Sequence, residues 1–409
     1  MVMSMSELTI NTESLLERVF YPMTNVIQNY AWGSPSSFTQ LFGTANSAGE
    51  PQAEIWMGAH PNGCSMVDTG AEQTKLSNLI SQNLSLFLSD KIASRFGELP
   101  YLFKVLAAEK ALSIQVHPNK QQAELGFEHE EQQGIPLSAS NRNYKDANHK
   151  PELVYALTEY TAMNGFRPIS EILAHFNYLD IPELNSLVND LSGDQTPNGL
   201  ASFFAGLLSL QGEQKEMAMM MLIMKAKLSP TPLFNLITEL EEQYPGDVGL
   251  FAPLILNVIA LKPGQAMYLD AETPHAYIKG TGLEIMANSD NVLRAGLTPK
   301  YMDVKELVSC TRFNEKRIDS LLLEPTKDNG MLEYPIPVED FKFAIIEHSE
   351  QREIDTQGAE ILLPLDEAMT LTHICGEQCI IEKGQSVFIP AFAQQYTIDC
   401  TGRVARAYS

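Results

Sequence analysis

The chain has 409 residues, with 28 Lys and Arg against 51 Asp and Glu, and so a formal net charge of −23 at pH 7. Hydrophobic residues make up 44% and charged residues 19%, which excludes disordered and fibrous proteins and predicts two or three domains with their own cores. The acidic balance argues against nucleic acid and anionic membranes as partners, because both bind basic patches. An anionic ligand would need cations gathered locally, against the field of the whole molecule.

No segment has the pattern of a membrane anchor or an export signal. Glu7 and Arg18 interrupt the apolar residues near the start, and the longest apolar run, 217–224, is far shorter than the roughly 20 residues of a membrane span. The five cysteines are an odd and scattered set, typical of reduced thiols, and we interpret Cys375 and Cys379 as strand residues. These features predict a cytoplasmic protein, and no motif demands a partner surface, so we expect a monomer.

The predicted elements begin with short strands. Between residues 25 and 167, short apolar runs are separated by Gly, Pro and Asn, which is typical of an all-β sandwich or jelly roll. These runs are 53–57, 101–106, 112–116 and 153–157. Segment 76–96 has apolar residues at helical spacing and is predicted to be helical.

The pattern becomes helical from residue 168 to about residue 253. Segments 200–210, 213–228 and 232–243 each predict an amphipathic or buried helix. Pro168 bounds this block on one side, and Gly246, Gly249 and Pro253 bound it on the other. A helical block between two β regions predicts an inserted all-helical domain.

After residue 254 strands return, together with a weak internal repeat. Segment 261–275 aligns without gaps with 381–395, with identical Gly, Gln and Ala residues at three positions. Both copies resemble the cupin-type barrel motif, in which a turn Gly precedes a strand and a later His points into the barrel. His275 occupies that position in the first copy and Gln395 in the second. We predict two barrels, of which the second has lost its metal ligand.

The resulting prediction is a mainly β protein of two cupin-type jelly-roll barrels with an inserted all-helical domain. Residues 1–167 and 254–325 form the expected catalytic barrel. Residues 168–253 form the helical insertion, and residues 326–409 form a C-terminal cupin-like domain without a metal site.

One set of side chains has the character of a metal site. Gln115 and His117 follow a predicted strand at i, i+2 spacing, which places both on one face. His275 ends the strand after the Gly turn, and Glu152 follows Pro151, which marks an edge or the start of a strand. Two imidazoles, one carboxylate and one amide oxygen suit Zn²⁺, Fe²⁺ or Mn²⁺.

Segment 280–300 adds charged groups to this set. Strand alternation puts Glu284 and Met286 on one face, away from their apolar neighbours. Near a metal site, Arg294 and Lys300 would bind a phosphate or oxyanion, Arg through its planar fork and Lys as a point charge. An ion-paired strand and loop is the alternative interpretation.

Several of these segments resemble those of a known family. The strings are SIQVHPN at 113–119, NHKPE at 148–152, HAY at 275–277, RAGLTPK at 294–300, NYAWG at 29–33 and AEIWMGAHP at 53–61. In their order along the chain they are similar to the signature segments of type I mannose-6-phosphate isomerases (phosphomannose isomerases) of the cupin superfamily. The resemblance runs from about residue 25 to residue 307 and is weaker over 319–409.

The resemblance implies an enzyme with one Zn²⁺ per chain that interconverts D-mannose 6-phosphate and D-fructose 6-phosphate. The residues that it implies as metal ligands are Gln115, His117, Glu152 and His275. It carries over Arg294 as a catalytic residue. The positions that it implies around the substrate are Ser113, Lys104, Lys150, Glu284, Lys300, Trp32 and Glu54.

The expected reaction moves one proton between C1 and C2 of the open-chain sugar through a cis-enediol. Arg294 stays protonated and is a poor base, so Glu284 or Lys150 is the expected proton carrier. Two other functions fit part of the set. A non-catalytic sugar-phosphate-binding cupin would need only the cations, whereas a metal-dependent cupin oxygenase would share the His/His/Glu ligands and leave the phosphate-directed cations unexplained.

Overall fold

The computed structural model describes residues 18–70 and 72–409, so the predicted interruption at Glu7 lies outside the described residues. Among the described helices, none has both the length and the apolarity that a membrane crossing requires. All five cysteines are free thiols. Cys379 lies in a strand as predicted, whereas Cys375 lies in the turn that precedes it.

The strands lie before and after a helical block at residues 169–255. They are β1 (Tyr21–Thr24), β2 (Val26–Gln28), β3 (Glu54–Met57), β4 (Met66–Asp68), β5 (Gln73–Lys75), β6 (Tyr101–Ala108), β7 (Gln115–Val116), β8 (Glu152–Ala156), β9 (Tyr160–Phe166), β10 (Leu256–Leu261), β11 (Ala266–Leu269), β12 (His275–Ala287), β13 (Leu293–Arg294), β14 (Leu322–Leu323), β15 (Thr326–Asp328), β16 (Met331–Glu333), β17 (Lys342–Ile346), β18 (Ser349–Asp355), β19 (Glu360–Pro364), β20 (Met369–His373), β21 (Gln378–Ile381), β22 (Ser386–Ile389), β23 (Gln395–Cys400) and β24 (Val404–Tyr408).

Helices occupy the middle of the chain and a few connections. The α-helices are Ser37–Phe42, Leu76–Gln82, Leu84–Leu88, Asp90–Phe96, Lys120–Gln132, Ile169–Leu179, Asn185–Gly193, Pro197–Leu208, Gly212–Leu228, Pro232–Gln243, Ala252–Ile255 and Val304–Ser309. Segment 76–96 is thus three short helices, because Asn83 and Ser89 each end one helix and cap the next through their side-chain oxygens.

The described strands form three sheets with antiparallel pairing. The first sheet runs β14-β11-β8-β12-β6-β3-β2, and β7 and β9 branch from it by pairing with the first part of β12. Strand β13 pairs with β7, and β10 pairs with β9. The second runs β15-β16-β17-β24-β19-β22-β1-β4-β5, and the third runs β18-β23-β20-β21. The prediction of a mainly β fold with two barrels and a helical insertion is confirmed.

The first and second sheets share one apolar core. Leu283 and Ile285 of β12 pack with Phe103 of β6 into the cluster that contains Phe343 of β17. The rings of Phe103 and Phe343 lie 6.2 Å apart. Because successive side chains alternate across a strand, Glu284 points away from this core and into the first barrel.

The second sheet takes a strand from near the start of the chain. Tyr21 of β1 pairs with Phe388 of β22, and Met23 pairs with Val67 of β4. These contacts bring the N-terminal strands into the sheet formed by the C-terminal part of the chain.

The helical block follows β9 and ends before β10. Its predicted helices at 200–210, 213–228 and 232–243 correspond to Pro197–Leu208, Gly212–Leu228 and Pro232–Gln243. Their buried apolar residues continue into the end of the first barrel, since Phe204 packs on Phe166 of β9 with ring centroids 5.5 Å apart. The block is therefore fixed on the barrel.

Candidate active site and metal centre

His117, Glu152 and His275 converge inside the first barrel. Each of these residues is 2% exposed. His117 Nε2 lies 3.3 Å from Glu152 Oε1, and His275 Nε2 lies 3.5 Å from Glu152 Oε2. Among the described residues, this is the one group of three or more His, Cys, Asp or Glu side chains whose donor atoms could hold a metal ion.

The strand register brings these side chains together. Glu152 begins β8 and pairs with Leu269 and Met286 on its two neighbours. His275 begins β12 and pairs with Gln115 of β7, just before His117. Gln115 lines the same cavity as Glu152 and His275, so the fourth predicted ligand lies beside the other three.

Hydrogen bonds fix the tautomers of both imidazoles. His117 Nδ1 lies 2.6 Å from the Asn291 carbonyl oxygen, and His275 Nδ1 lies 2.9 Å from the Thr273 carbonyl oxygen. A carbonyl only accepts, so each Nδ1 carries the hydrogen and each Nε2 keeps its lone pair. His117 Nε2 is buried and has no hydrogen-bond partner in the described part of the chain. Burial, assisted by Lys150, lowers the pKa of His117 to about 4, so the ring is neutral at pH 7.

The Glu152 carboxylate is held in its charged form. Burial opposes the charge, but the neighbouring Lys150 lowers the pKa of Glu152 well below its usual range. Lys150 Nζ lies 3.0 Å from Oε1, and the Tyr277 hydroxyl donates to Oε2 at 2.7 Å. Burial raises the pKa of Tyr277, so its hydroxyl remains a donor.

The donor geometry fits zinc. Ligand atoms that surround a tetrahedral zinc at typical bond lengths lie about 3.4 Å from one another. The His–Glu separations of 3.3 and 3.5 Å match this spacing, and the lone pair on His117 Nε2 is buried without a partner in residues 18–70 and 72–409. Two imidazoles and one carboxylate are also a donor set that zinc takes readily.

The metal centre opens into a cleft whose largest compartment has a volume of about 370 Å³, a size typical of small-molecule sites. Its compartments share Gln115 and Leu112, so they form one cavity. The predicted residues that line it are Trp32, Glu54, Lys104, Ser113, Gln115, Lys150, Glu152, His275, Glu284, Arg294 and Lys300. With His117 in the metal cluster, the structure brings together every residue predicted for the site.

Glu284 and Lys104 form a buried pair near the metal centre. Lys104 Nζ lies 2.8 Å from Glu284 Oε2 and 3.5 Å from Glu54 Oε1. Burial, with repulsion from Glu152 and Glu54, raises the pKa of Glu284 despite the attraction of Lys104. Burial opposes the charge of Lys104, but Glu284 and Glu54 together raise its pKa. Lys104 therefore stays an ammonium, whereas Glu284 has the character of a general acid or base.

Arg294 and Lys300 form a cationic end of the cleft. Neither side chain is in an ion pair with any residue of the described ranges. Burial lowers the pKa of Arg294, and burial together with Arg294 lowers the pKa of Lys300. Two neighbouring cations without a carboxylate partner, beside Ser113, are suited to an anionic ligand.

Three further residues belong to this site and are not among those predicted from sequence. Tyr277 is two residues after His275, and Trp56 is two after Glu54, whose Oε2 accepts from Trp56 Nε1 at 2.7 Å. Strand spacing could have placed both on the same faces as their neighbours. Asp290 also lines the cleft, with His60 Nε2 3.3 Å away. His60 outweighs burial and holds the pKa of Asp290 below its usual range.

The second barrel has a glutamate, Glu360, at the position of the metal-site residue Glu152, and the cation beside it is Arg406. Glu152 pairs with Leu269 and Glu360 pairs with Ile389, which are equivalent positions in the repeat. Glu284 pairs with residue 154, which is two residues after Glu152. Arg406 pairs with residue 362, which is two residues after Glu360, so Arg406 takes the position that Glu284 has in the first barrel. Arg406 Nε donates to Glu360 Oε2 at 2.9 Å, and its Nη2 donates to Oε1.

The remaining contacts of Glu360 complete this comparison. Tyr396 donates to Glu360 Oε2 at 2.8 Å, as Tyr277 does to Glu152 in the first barrel. Gln395, at the repeat position of His275, is exposed and bonds to Asp355. An arginine thus occupies the place beside the retained carboxylate in the second barrel.

Comparisons with known proteins agree with this arrangement. Family profiles match residues 20–169 (Phosphomannose isomerase type I, catalytic domain), residues 180–256 (Phosphomannose isomerase type I, helical insertion domain) and residues 330–409 (Mannose-6-phosphate isomerase, cupin domain). A mannose-6-phosphate isomerase of Escherichia coli (strain K12) is 45% identical over 95% of this chain and 99% of its own. One of Rattus norvegicus is 36% identical over 91% of this chain and 94% of its own.

Solved structures give the same result. A crystal structure of a phosphomannose isomerase mutant from Salmonella typhimurium is 44% identical, with a TM-score of 0.92, and the match covers 96% of this chain and 100% of that one. A zinc-bound mannose 6-phosphate isomerase matches with a TM-score of 0.90 and 44% identity, over the same shares of the two chains. The chain belongs to the type I phosphomannose isomerase family.

Proposed function

We propose that this protein interconverts D-mannose 6-phosphate and D-fructose 6-phosphate with one zinc ion per chain. The observation that carries the proposal is a single cleft with a His/His/Glu donor set at one end and two cations free of ion pairs with the described residues at the other. The first end suits proton transfer beside a carbonyl, and the second suits a phosphate. The names of the relatives from Escherichia coli and Rattus norvegicus support the same substrate.

Four side chains would hold the zinc ion: Gln115, His117, Glu152 and His275. When bound, zinc supplies a Lewis acid that stabilises negative charge developing on the sugar oxygens. Tyr277 and Lys150 orient the Glu152 carboxylate, and the backbone carbonyls of Asn291 and Thr273 orient the imidazoles.

Glu284 is the proton carrier that the site favours. In the aldose-to-ketose direction, its carboxylate removes the proton on C2 while the C1 carbonyl oxygen gains a proton from water, which gives the cis-enediol. The carboxyl group then returns its proton to C1 as the C2 hydroxyl gives its own proton to water, which gives the ketose. The raised pKa of Glu284 suits both steps, and Lys104 at 2.8 Å holds the carboxylate in place. Lys150 is the second candidate for this role, although its ammonium contacts the metal ligand Glu152.

The other end of the cleft binds the phosphate in this proposal. Arg294 and Lys300 provide the charge, and Ser113 provides a hydroxyl donor. Arg294 also lies in the compartment that holds Lys104 and Lys150, so its guanidinium can stabilise charge on the reacting end of the sugar. Trp32 and Glu54 line the same compartment.

The direct test is a coupled isomerase assay on mannose 6-phosphate, before and after treatment with a chelator. We expect activity in the purified protein, its loss on chelation, and its return when zinc is added back. Absence of activity after zinc is restored would reject the proposal. Bound iron together with oxygen uptake would favour the cupin oxygenase instead.

Replacing Lys300 with methionine tests the phosphate end. We expect KM for mannose 6-phosphate to rise about 10-fold or more with kcat little changed, because a hydrogen bond to a charged group is worth about 1.5–3 kcal/mol. Lys305→Met is the matched control, since Lys305 is exposed on the helix Val304–Ser309 and does not line the cleft. An unchanged KM in Lys300→Met would remove Lys300 from the phosphate site.

The remaining features of the proposal follow from the sequence. The division into residues 1–167 with 254–325, 168–253 and 326–409 is our proposed set of domains. We further propose that the protein acts as a monomer in the cytoplasm and binds no nucleic acid, supported by its free thiols and its net charge of −23.

A further inference from the structure

The segment that follows the last long helix of the helical block contacts the first of two loops at the cationic end of the cleft. Gln243 ends the helix Pro232–Gln243, and its Oε1 accepts from the Ala111 backbone N–H at 2.8 Å. The hydroxyl of Tyr244 donates to the Ala111 carbonyl oxygen at 2.5 Å. Both backbone groups of Ala111 are thus held, two residues before Ser113.

The same segment contacts the second loop through Asp247. Its Oδ1 accepts from the Leu297 N–H at 2.8 Å, and its Oδ2 accepts from the Thr298 N–H at 3.2 Å. These two residues lie between Arg294 and Lys300. One carboxylate from the helical block therefore binds the backbone of the loop that carries both cations.

Two glycines allow this close contact. A Cβ on Gly249 would lie 2.6 Å from the Leu297 nitrogen, and a Cβ on Gly296 would lie 2.6 Å from the Gly249 Cα. Leu297 has a φ of 52°, in the left-handed region that a leucine rarely adopts. Such a conformation persists when surrounding contacts over-determine it, and the hydrogen bond from Leu297 N–H to Asp247 is one of them.

The two loops are also joined directly. Ala295 N–H donates to the Ile114 carbonyl oxygen at 2.9 Å, and Ile114 N–H donates to the Gly296 carbonyl oxygen at 3.0 Å. The residues before Ser113 and those between Arg294 and Lys300 therefore form one unit, which the helical block holds at both ends. The ring of Tyr244 itself lines the cleft beside Arg294 and Lys300.

We propose that Asp247 and Tyr244 are positioning residues that set the geometry of the anion-binding end of the cleft. Asp247 acts through the 294–300 loop, and Tyr244 acts through the loop before Ser113. The inference rests on the proposed function, because it takes the anion to be the phosphate of the substrate. Through these two residues the helical insertion takes part in recognition of the phosphate. It has no role here in the proton transfer at the metal end.

Asp247→Asn is the first test. The variant keeps one oxygen acceptor at the same size, but an NH₂ group replaces the oxygen that faces the Thr298 N–H. We expect the dissociation constant for inorganic phosphate, measured by calorimetry on the zinc-loaded protein, to rise about 10-fold. We expect KM for mannose 6-phosphate to rise by a similar factor, with a smaller change in kcat. Tyr244→Phe keeps the ring, loses the bond to Ala111 and should give a smaller change in the same direction.

Thr231→Ala is the matched control. Thr231 caps the same helix through a bond from Phe234 N–H to its hydroxyl at 3.2 Å and touches neither loop. We expect this variant to lower the thermal midpoint with phosphate affinity and KM unchanged. If Asp247→Asn behaves like the control, with a lower midpoint and an unchanged phosphate affinity, the inference is overturned.

The phosphate measurement also separates the two proposals. A wild type without isomerase activity, but with phosphate binding that Asp247→Asn weakens, would reject the proposed function and support the positioning role. An active wild type whose phosphate affinity and KM are unaffected by Asp247→Asn would support the function and reject the positioning role.

Discussion

Replacing Glu284 with glutamine is expected to lower kcat for mannose 6-phosphate by about 10²- to 10⁴-fold, the usual contribution of a positioned general acid or base. Glutamine has nearly the same shape, and its amide oxygen can still accept from Lys104, so the walls of the cleft should stay in place. We expect KM to change much less than kcat. Steady-state kinetics on the zinc-loaded variant measure both quantities.

The pH dependence of kcat gives a second readout for Glu284. Burial raises the pKa of this carboxyl above its ordinary value of 4.5. Catalysis needs the carboxylate as the base, so wild-type kcat should fall as the pH drops through this raised pKa. The acid limb should therefore lie above pH 4.5, and Glu284→Gln should lack it. The comparison is a pH–rate profile of both proteins.

Two variants are compared with Glu284→Gln. Lys150→Met tests the other candidate for the proton carrier, and Glu54→Gln is the control for loss of a negative charge. Glu54 also faces Lys104, at 3.5 Å, so its replacement reports how much of the effect comes only from removing a negative charge near that lysine. Exchange of the sugar proton with solvent identifies the carrier, and we expect Glu284→Gln to lose exchange and isomerisation together. A near-normal kcat in Glu284→Gln with a large loss in Lys150→Met would assign the proton transfer to Lys150. Near-normal rates in both would show that the carrier is elsewhere.

Replacing Arg406 with methionine is expected to destabilise the protein by about 3–5 kcal/mol, because it leaves the carboxylate of Glu360 buried without its cation. Glu360 is 0% exposed and Arg406 is 5% exposed. Tyr396 would remain as one donor to the carboxylate, which is insufficient to replace a guanidinium that makes two bonds. Urea unfolding at pH 7 measures the loss.

The double variant Glu360→Gln with Arg406→Met should recover much of this stability, since neither charge is then left unpaired. Lys327→Met is the control, because Lys327 pairs with Glu347 on the exposed surface of the same unit, and its loss should leave the unfolding midpoint unchanged. Equal destabilisation in the single and double variants would show that packing, and not the charge pair, stabilises this barrel.

The metal ligands could be predicted from sequence because their spacing has a local physical meaning. Gln115 and His117 share a strand face, and His275 follows a glycine turn whose repeat marks the barrel. Segment 280–300 indicated Glu284, Arg294 and Lys300, and the resemblance to a known family then supplied the other residues around the substrate. All of them line the cleft. The same i, i+2 spacing would have identified Tyr277 from His275.

Contacts between distant segments could not be predicted in this way. Asp247 reaches Leu297 from a different region of the chain, and nothing in its neighbouring residues indicates that partner. Arg406 faces Glu360 because two strands pair in one particular register, which depends on the whole sheet. The sequence also does not indicate that β1 pairs with β22, since a short apolar strand fits many sheets equally well.

The pairing of Tyr21 with Phe388 has a consequence for synthesis of the protein in the cell. The strand that contains Tyr21 must wait for its neighbour until the strand Ser386–Ile389 has been translated. During that time Phe103, Leu283 and Ile285 have no second sheet to cover them. Such long-range pairing slows folding and exposes apolar surface to aggregation. We therefore expect the nascent chain, and any product of premature termination, to expose this apolar surface until the last strands are made.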